Sequence, residues 1–96
     1  MIRLSIIIPA FNEEKTILAL LHKVNKVDIS GVEKEVIVID DCSTDNTLNF
    51  LEANDKLFTK LIKFKKNSGK GAAVKCGLKE ASGQYILFQD ADLEYD

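Results

Sequence analysis

The chain has 96 residues, room for one small domain with a single core; a chain of this size buries roughly 60–70% of the surface that its unfolded form exposes. Hydrophobic residues make up 46% and charged residues 29%, which excludes a disordered chain. Thirteen basic residues stand against 15 acidic ones, and the net charge of −2 excludes a general electrostatic drive toward nucleic acid or anionic lipid. In chain order, residues 4–8 (Leu-Ser-Ile-Ile-Ile) are β-branched and nearly continuous, the pattern of a strand covered on both faces. Pro9 ends that run. Asn12 is placed to cap a helix, with Glu13 and Glu14 in its first turn, where the helix dipole favours acids. Ile17, Leu20, Leu21, Val24 and Val27 then recur at helical spacing until Ser30-Gly31 breaks the pattern.

Residues 35–39 (Glu-Val-Ile-Val-Ile) predict a second buried strand, which runs into Asp40-Asp41. Ser43 or Thr44 is the expected cap of a helix carrying Leu48 and Leu51. Residues 57–64 predict a third strand, and Lys60 and Lys63 mark it as an edge, since lysines discourage pairing with further strands. After a loop at residues 67–71 (Asn-Ser-Gly-Lys-Gly), Ala72, Ala73, Val74, Gly77, Leu78 and Ala81 predict a helix whose small buried face packs closely on a sheet. Ser82-Gly83 stops it, and residues 85–88 (Tyr-Ile-Leu-Phe) form a fourth strand ending at Asp90-Ala91-Asp92. Strands and helices that alternate in this way predict an α/β fold: an open, mainly parallel, Rossmann-like sheet with right-handed crossovers and flanking helices. The acidic stretch 90–96 follows without a closing helix, so the 96 residues are expected to be one part of a larger domain.

Other classes fall away on residue usage. Arg3 is the only arginine, so a phosphate site built on guanidinium forks is not expected. No apolar run approaches membrane-spanning length, and residues 1–10 do not read as a signal peptide. Cys42 and Cys76 have neither disulfide-framework nor zinc-site spacing and imply a reducing, cytoplasmic setting. His22 sits mid-helix and carries no role, and the lysines between positions 60 and 66 read as a solvated edge.

In open α/β sheets, ligands bind beyond the carboxyl ends of the strands, and the unusual residues of this chain gather there. Asp90-x-Asp92 suits a hard divalent cation held through oxygen, with Glu94 as a third ligand; as an isolated motif it is also an ordinary acidic turn. Of the Asp40-Asp41 pair, one acid is suited to ribose hydroxyls or a base N–H, and capping of the next helix is the competing role. Phe11 either stacks on a base or staples the first helix. The loop at 67–71 offers mobile backbone and the Lys70 ammonium for a phosphate, although it lacks the GxxxxGK spacing of a P-loop.

Four ordered stretches carry a resemblance: Ile-Ile-Pro-Ala-Phe-Asn-Glu-Glu at 7–14, Ile-Asp-Asp-Cys-Ser-Thr-Asp at 39–45, Asn-Ser-Gly-Lys-Gly-Ala-Ala at 67–73 and Asp-Ala-Asp-Leu-Glu at 90–94. Together they resemble family 2 glycosyltransferases of GT-A fold, nearest the dolichol-phosphate mannosyltransferase and polyprenyl-phosphate glycosyltransferase branch. The resemblance implies strand order 3-2-1-4 and assigns residues 1–96 to the N-terminal, nucleotide-sugar-binding half of a GT-A domain. It implies inverting transfer from a UDP- or GDP-hexose, with Mg²⁺ or Mn²⁺ as cofactor and a polyprenyl phosphate as acceptor. By motif match, Pro9, Phe11, Glu13, Asp41, Lys70 and Asp90 contact the nucleotide, and Asp90, Asp92 and Glu94 hold the metal. The base that activates the acceptor lies further along in the family and has no counterpart here. Cys42 stands where the family has Gly, and Asn46 where it often has Gly. A membrane-associated full-length protein on the cytoplasmic face and pairing of two copies through an open sheet edge are further expectations.

Rival readings are a non-catalytic nucleotide- or metal-binding module, a receiver-type phospho-acceptor domain, a dinucleotide-binding half and a nucleotidyltransferase. The receiver should carry its acidic pair after the first strand, whereas here the pair follows the second. The last two should open on glycines where Pro-Ala-Phe-Asn-Glu stands.

Overall fold

The computed structural model describes residues 1–91; Asp92 and Glu94, on which two of the metal-ligand expectations fall, lie outside the described residues. The strands are β1 (Ile2–Ala10), β2 (Val32–Asp40), β3 (Lys60–Lys63) and β4 (Tyr85–Phe88). Between them lie α1 (Ile17–Lys26), α2 (Thr47–Ala53), a 3-10 turn (Asp55–Leu57) and α3 (Lys70–Glu80). All strand pairs are parallel and the order is β3-β2-β1-β4, as the family resemblance implies. A receiver-type sheet runs 2-1-3-4-5, so the outer position of β3 beside β2 removes that rival.

Side-chain alternation divides the two central strands between two cores. Ile6, Ile8, Val36 and Val38 pack under α1 and α2 with Leu20, Leu21 and Leu51, while Ile7, Ile37 and Ile39 face α3 with Ala73. Burial on both faces is why these strands read as continuous apolar runs. The crossover from β3 to β4 carries α3 over both central strands, and it sits very close. A Cβ on Gly77 would stand 2.4 Å from Cγ2 of Ile7, so only glycine fits that approach. Leu78, expected on the buried face, is instead exposed, because α3 turns Ala73 and Gly77, four residues apart on one stripe, to the sheet and Leu78 lies off that stripe.

Several boundaries differ from the sequence expectation. Asn12 does not cap α1; it has φ +53 and its side chain is engaged by the loop after β2. Helix α1 therefore starts only at Ile17, leaving Glu13 and Glu14 ahead of it, and Val27 falls past its end in extended conformation. Ser43 and Thr44 are likewise drawn into loop contacts, so α2 begins after Asn46. Leu57 belongs to the 3-10 turn, which shortens β3 to Lys60–Lys63.

The two sheet edges differ in kind. Edge β3 carries Lys60 and Lys63, paired with Glu80 and Glu52, as an edge protected by charge should. Edge β4 has no charge, and all four of its residues, Tyr85, Ile86, Leu87 and Phe88, are exposed. Among the described residues, no helix is long and apolar enough to cross a membrane.

Candidate active site

A cleft of about 250 Å³ opens beyond the carboxyl ends of β1, β2 and β4, lined by Pro9, Phe11, Glu13, Asp41, Lys70 and Asp90, with Ala10, Ala73 and Ala91 between them. It lies where the chain reverses: β2 leaves β1 on one side, and β4 returns on the other. All six residues expected to meet a nucleotide thus share one concavity, although they come from four separate stretches of sequence.

The rim is built from interlocking loops. The Asn12 side-chain oxygen accepts from Thr44 N at 2.8 Å and Asp45 N at 3.2 Å, while Asn12 N donates to Ser43 Oγ at 3.0 Å. Glu13 N donates to Thr47 Oγ1 at 2.8 Å, and Thr16 Oγ1 donates to the Ala91 carbonyl at 2.9 Å. The first loop is therefore tied both to the loop after β2 and to the end of β4. Left-handed backbone at Asn12 and at Cys42 (φ +59) makes these crossings possible.

The two acids of the Asp40-Asp41 pair do different work. Asp40 accepts from Ser43 Oγ at 2.6 Å and Ser43 N at 3.2 Å and so turns the chain out of β2. Asp41 does not cap α2; the N-cap Asn46 makes no side-chain cap bond, and the Asp45 carboxylate just ahead of it accepts from Thr47 N at 2.9 Å. Burial of Asp45 alone would raise its pKa, but bonds from the Thr47 hydroxyl, the Thr47 amide and the Glu14 amide outweigh it and lower it. Asp41, 4% exposed, turns instead to the loop at residues 67–71: its two carboxylate oxygens accept from Ser68 N at 2.7 Å and Gly69 N at 2.9 Å.

At the opposite wall Lys70, the first residue of α3, extends its ammonium to Asp90 Oδ1 at 2.5 Å. Both side chains are well exposed, so this ion pair is weak and open to exchange. Phe11 is 42% exposed at the mouth, which leaves a ring face available for stacking and disfavours the staple role. Neither His22 nor either cysteine lines the cleft. A model of the family described as glycosyl transferase family 2 matches residues 5–96.

The chain belongs to glycosyl transferase family 2. Its fold and its motifs agree with that membership. Poly(ribitol-phosphate) β-N-acetylglucosaminyltransferase TarS of Staphylococcus aureus is 43% identical over 94 residues, covering 96% of this chain and 16% of TarS. The crystal structure of residues 1–349 of TarS with UDP-GlcNAc matches at TM-score 0.84 and 39% identity, covering 94% of this chain and 26% of that one. Dolichol-phosphate mannosyltransferase of Pyrococcus furiosus is 35% identical, with 97% of this chain and 26% of the relative covered. Mannosyltransferase PcManGT of Pyrobaculum calidifontis, solved with GDP-Man and Mn²⁺, matches at TM-score 0.81 and 29% identity, covering 95% of this chain and 28% of its own. The 96 residues thus span 16% to 28% of these relatives' length. Cys42, where the resemblance leads one to expect glycine, has the left-handed φ that favours glycine, whereas Asn46 at φ −85 does not.

Sequence reading missed the rim network of Asn12, Ser43, Thr44 and Thr47. Its signal was present in the polar run after β2, but such residues serve as caps, turns or cross-links equally well until the neighbouring loop is in place.

Proposed function

We propose that the cleft binds a nucleoside-diphosphate sugar with a divalent cation, as the donor site of an inverting glycosyltransferase. The observation that carries this reading is the convergence of Pro9, Phe11, Glu13, Asp41, Lys70 and Asp90 on one concavity at the sheet's reversal point. Phe11 and Pro9 form the apolar wall for a base and ribose, and Glu13 and Asp41 accept from their polar hydrogens. Lys70 and Asp90 stand at the diphosphate end. The donor set suits a hard cation, since Asp90 offers carboxylate oxygen from an exposed position in the cleft, and Asp92 and Glu94 follow it in sequence. The Lys70 ammonium, at the positive end of α3, meets the negative charge of the diphosphate and orients it. Mg²⁺ or Mn²⁺, when bound, would supply Lewis-acid stabilisation of the departing nucleoside diphosphate. UDP-GlcNAc in TarS and GDP-Man in PcManGT support a nucleotide-sugar donor. The dolichol-phosphate relative supports a polyprenyl-phosphate acceptor for the whole enzyme.

Calorimetric titration of the chain with UDP and GDP, each with and without Mn²⁺, tests the donor site. Binding that strengthens with Mn²⁺ is expected for one of the two; heat with neither nucleotide under any condition would overturn the reading.

The uncharged, exposed β4 edge supports pairing of this 96-residue chain with a second copy, strand against strand, since that covers apolar side chains with no opposed charges. Sedimentation velocity is expected to find a dimer, with Leu87→Lys shifting it to monomer. A wild-type monomer at high concentration refutes the pairing.

A further inference from the structure

Asp41 belongs to the nucleoside end of the cleft, yet its strongest bonds run to the loop that carries the diphosphate end. Its Oδ1 accepts from Ser68 N at 2.7 Å, its Oδ2 from Gly69 N at 2.9 Å, and its backbone carbonyl from Asn67 Nδ2 at 3.2 Å. Two successive amides aimed at one buried carboxylate form a closed anion nest. Gly69 completes it with φ +95, a conformation that residues with a side chain avoid, although a Cβ there would meet nothing within 4 Å. The next residue is Lys70, where α3 begins, and its ammonium reaches Asp90. From the end of β2, the Asp41 carboxylate thus holds the two residues that lead into Lys70.

We propose that Asp41 is a positioning residue for Lys70, so that affinity for the diphosphate depends on Asp41 even when no base is present. The proposal rests on the nucleotide reading above and assigns Asp41 a task that a purely base-reading acid lacks. Replacement by Asn keeps the size but turns an amide N–H toward one of the two donors, Ser68 N or Gly69 N, which opens the nest. Gly69→Ala strains the same loop without touching Asp41 or adding a clash.

The experiment separates the two ends of the ligand. Inorganic pyrophosphate with Mn²⁺, and uridine and guanosine without it, are titrated into the wild type, Asp41→Asn, Gly69→Ala, Lys70→Met and the Asp41→Asn/Lys70→Met double variant. Asp41→Asn and Gly69→Ala should each weaken pyrophosphate about tenfold. The double variant should bind pyrophosphate no more weakly than Lys70→Met alone. Hydrogen exchange should show faster exchange of the Ser68 and Gly69 amides in Asp41→Asn. Undiminished pyrophosphate affinity in Asp41→Asn and Gly69→Ala, or additive losses in the double variant, would overturn the proposal. A wild type that binds neither pyrophosphate nor nucleoside sinks the nucleotide reading itself. Unchanged amide exchange in Asp41→Asn refutes the nest whatever the ligands do.

Discussion

Glu35→Gln is expected to lower the stability of the chain by about 3 kcal/mol at neutral pH, the size set by losing charge-assisted hydrogen bonds in a buried place. Glu35 lies in β2 at the end of the sheet remote from the cleft and is 2% exposed. Its carboxylate accepts from Ser5 Oγ at 2.8 Å, Ser82 N at 2.9 Å, Ser82 Oγ at 3.0 Å and the Arg3 guanidinium at 3.1 Å. One side chain thereby ties β1, β2 and the turn between α3 and β4. Burial alone would raise its pKa; bonds from the Ser82 amide, the Ser5 hydroxyl, the Arg3 guanidinium and the Ser82 hydroxyl outweigh burial and hold it at about 2, against an ordinary value of 4.5. A pKa lowered by folding adds stability that is fully present above the unfolded value and is lost as pH falls through the folded one. The window therefore runs from about pH 4.5 down to about 2, and the loss across it is on the order of 3 kcal/mol. Urea unfolding at pH 7 and at pH 3 checks both statements, since Glu35→Gln should be weaker at pH 7 and should lose less than the wild type on acidification. Parallel losses in both proteins would show that Glu35 titrates at its ordinary value when folded.

Asp90→Asn is expected to erase the contribution of Mn²⁺ to nucleoside-diphosphate binding, a loss of about 100-fold in affinity if the cation contributes a few kcal/mol. The sign should reverse without metal. Asp90 then presents only negative charge to the diphosphate and occupies the Lys70 ammonium, so the variant should bind slightly more tightly than the wild type. Opposite effects with and without Mn²⁺ separate a ligand role from general damage, which would weaken both. Asp92→Ala should behave like Asp90→Asn in Mn²⁺. Calorimetry on the three proteins decides the matter, and an Mn²⁺ enhancement that survives in Asp90→Asn would remove that residue from the metal site.

Membership of glycosyl transferase family 2 makes these two predictions complementary, because one concerns what holds the sheet together and the other what the sheet presents. Glu35 passed unnoticed in the sequence, where an acid before Val-Ile-Val-Ile looks like the solvated start of a strand. Its partners Arg3, Ser5 and Ser82 are distant in sequence, and nothing local announces that they meet. Asp41 was noticed, but as a base-reading or helix-capping acid. Its bonds to residues 68 and 69 depend on where the third crossover leaves β3.

What the sequence determined by itself was whatever has a local period or a local breaker. Doubly buried strands show as unbroken β-branched runs, the helices as apolar repeats, the protected edge as Lys60 and Lys63, and the chemistry as polar residues stranded at strand ends. The alternation of elements then forces all of those ends to one side of a parallel sheet, and the resemblance to family 2 glycosyltransferases picked the six cleft residues from among them. Only the tertiary structure decided where α1 and α2 begin, which loop each acid organises, and how closely Gly77 lets α3 approach. The reason is that short polar side chains such as Asn12, Ser43 and Asp41 have several partners of nearly equal energy within reach. Packing of the apolar faces sets which partner arrives first at hydrogen-bond distance, and the sequence around each residue does not contain that distance.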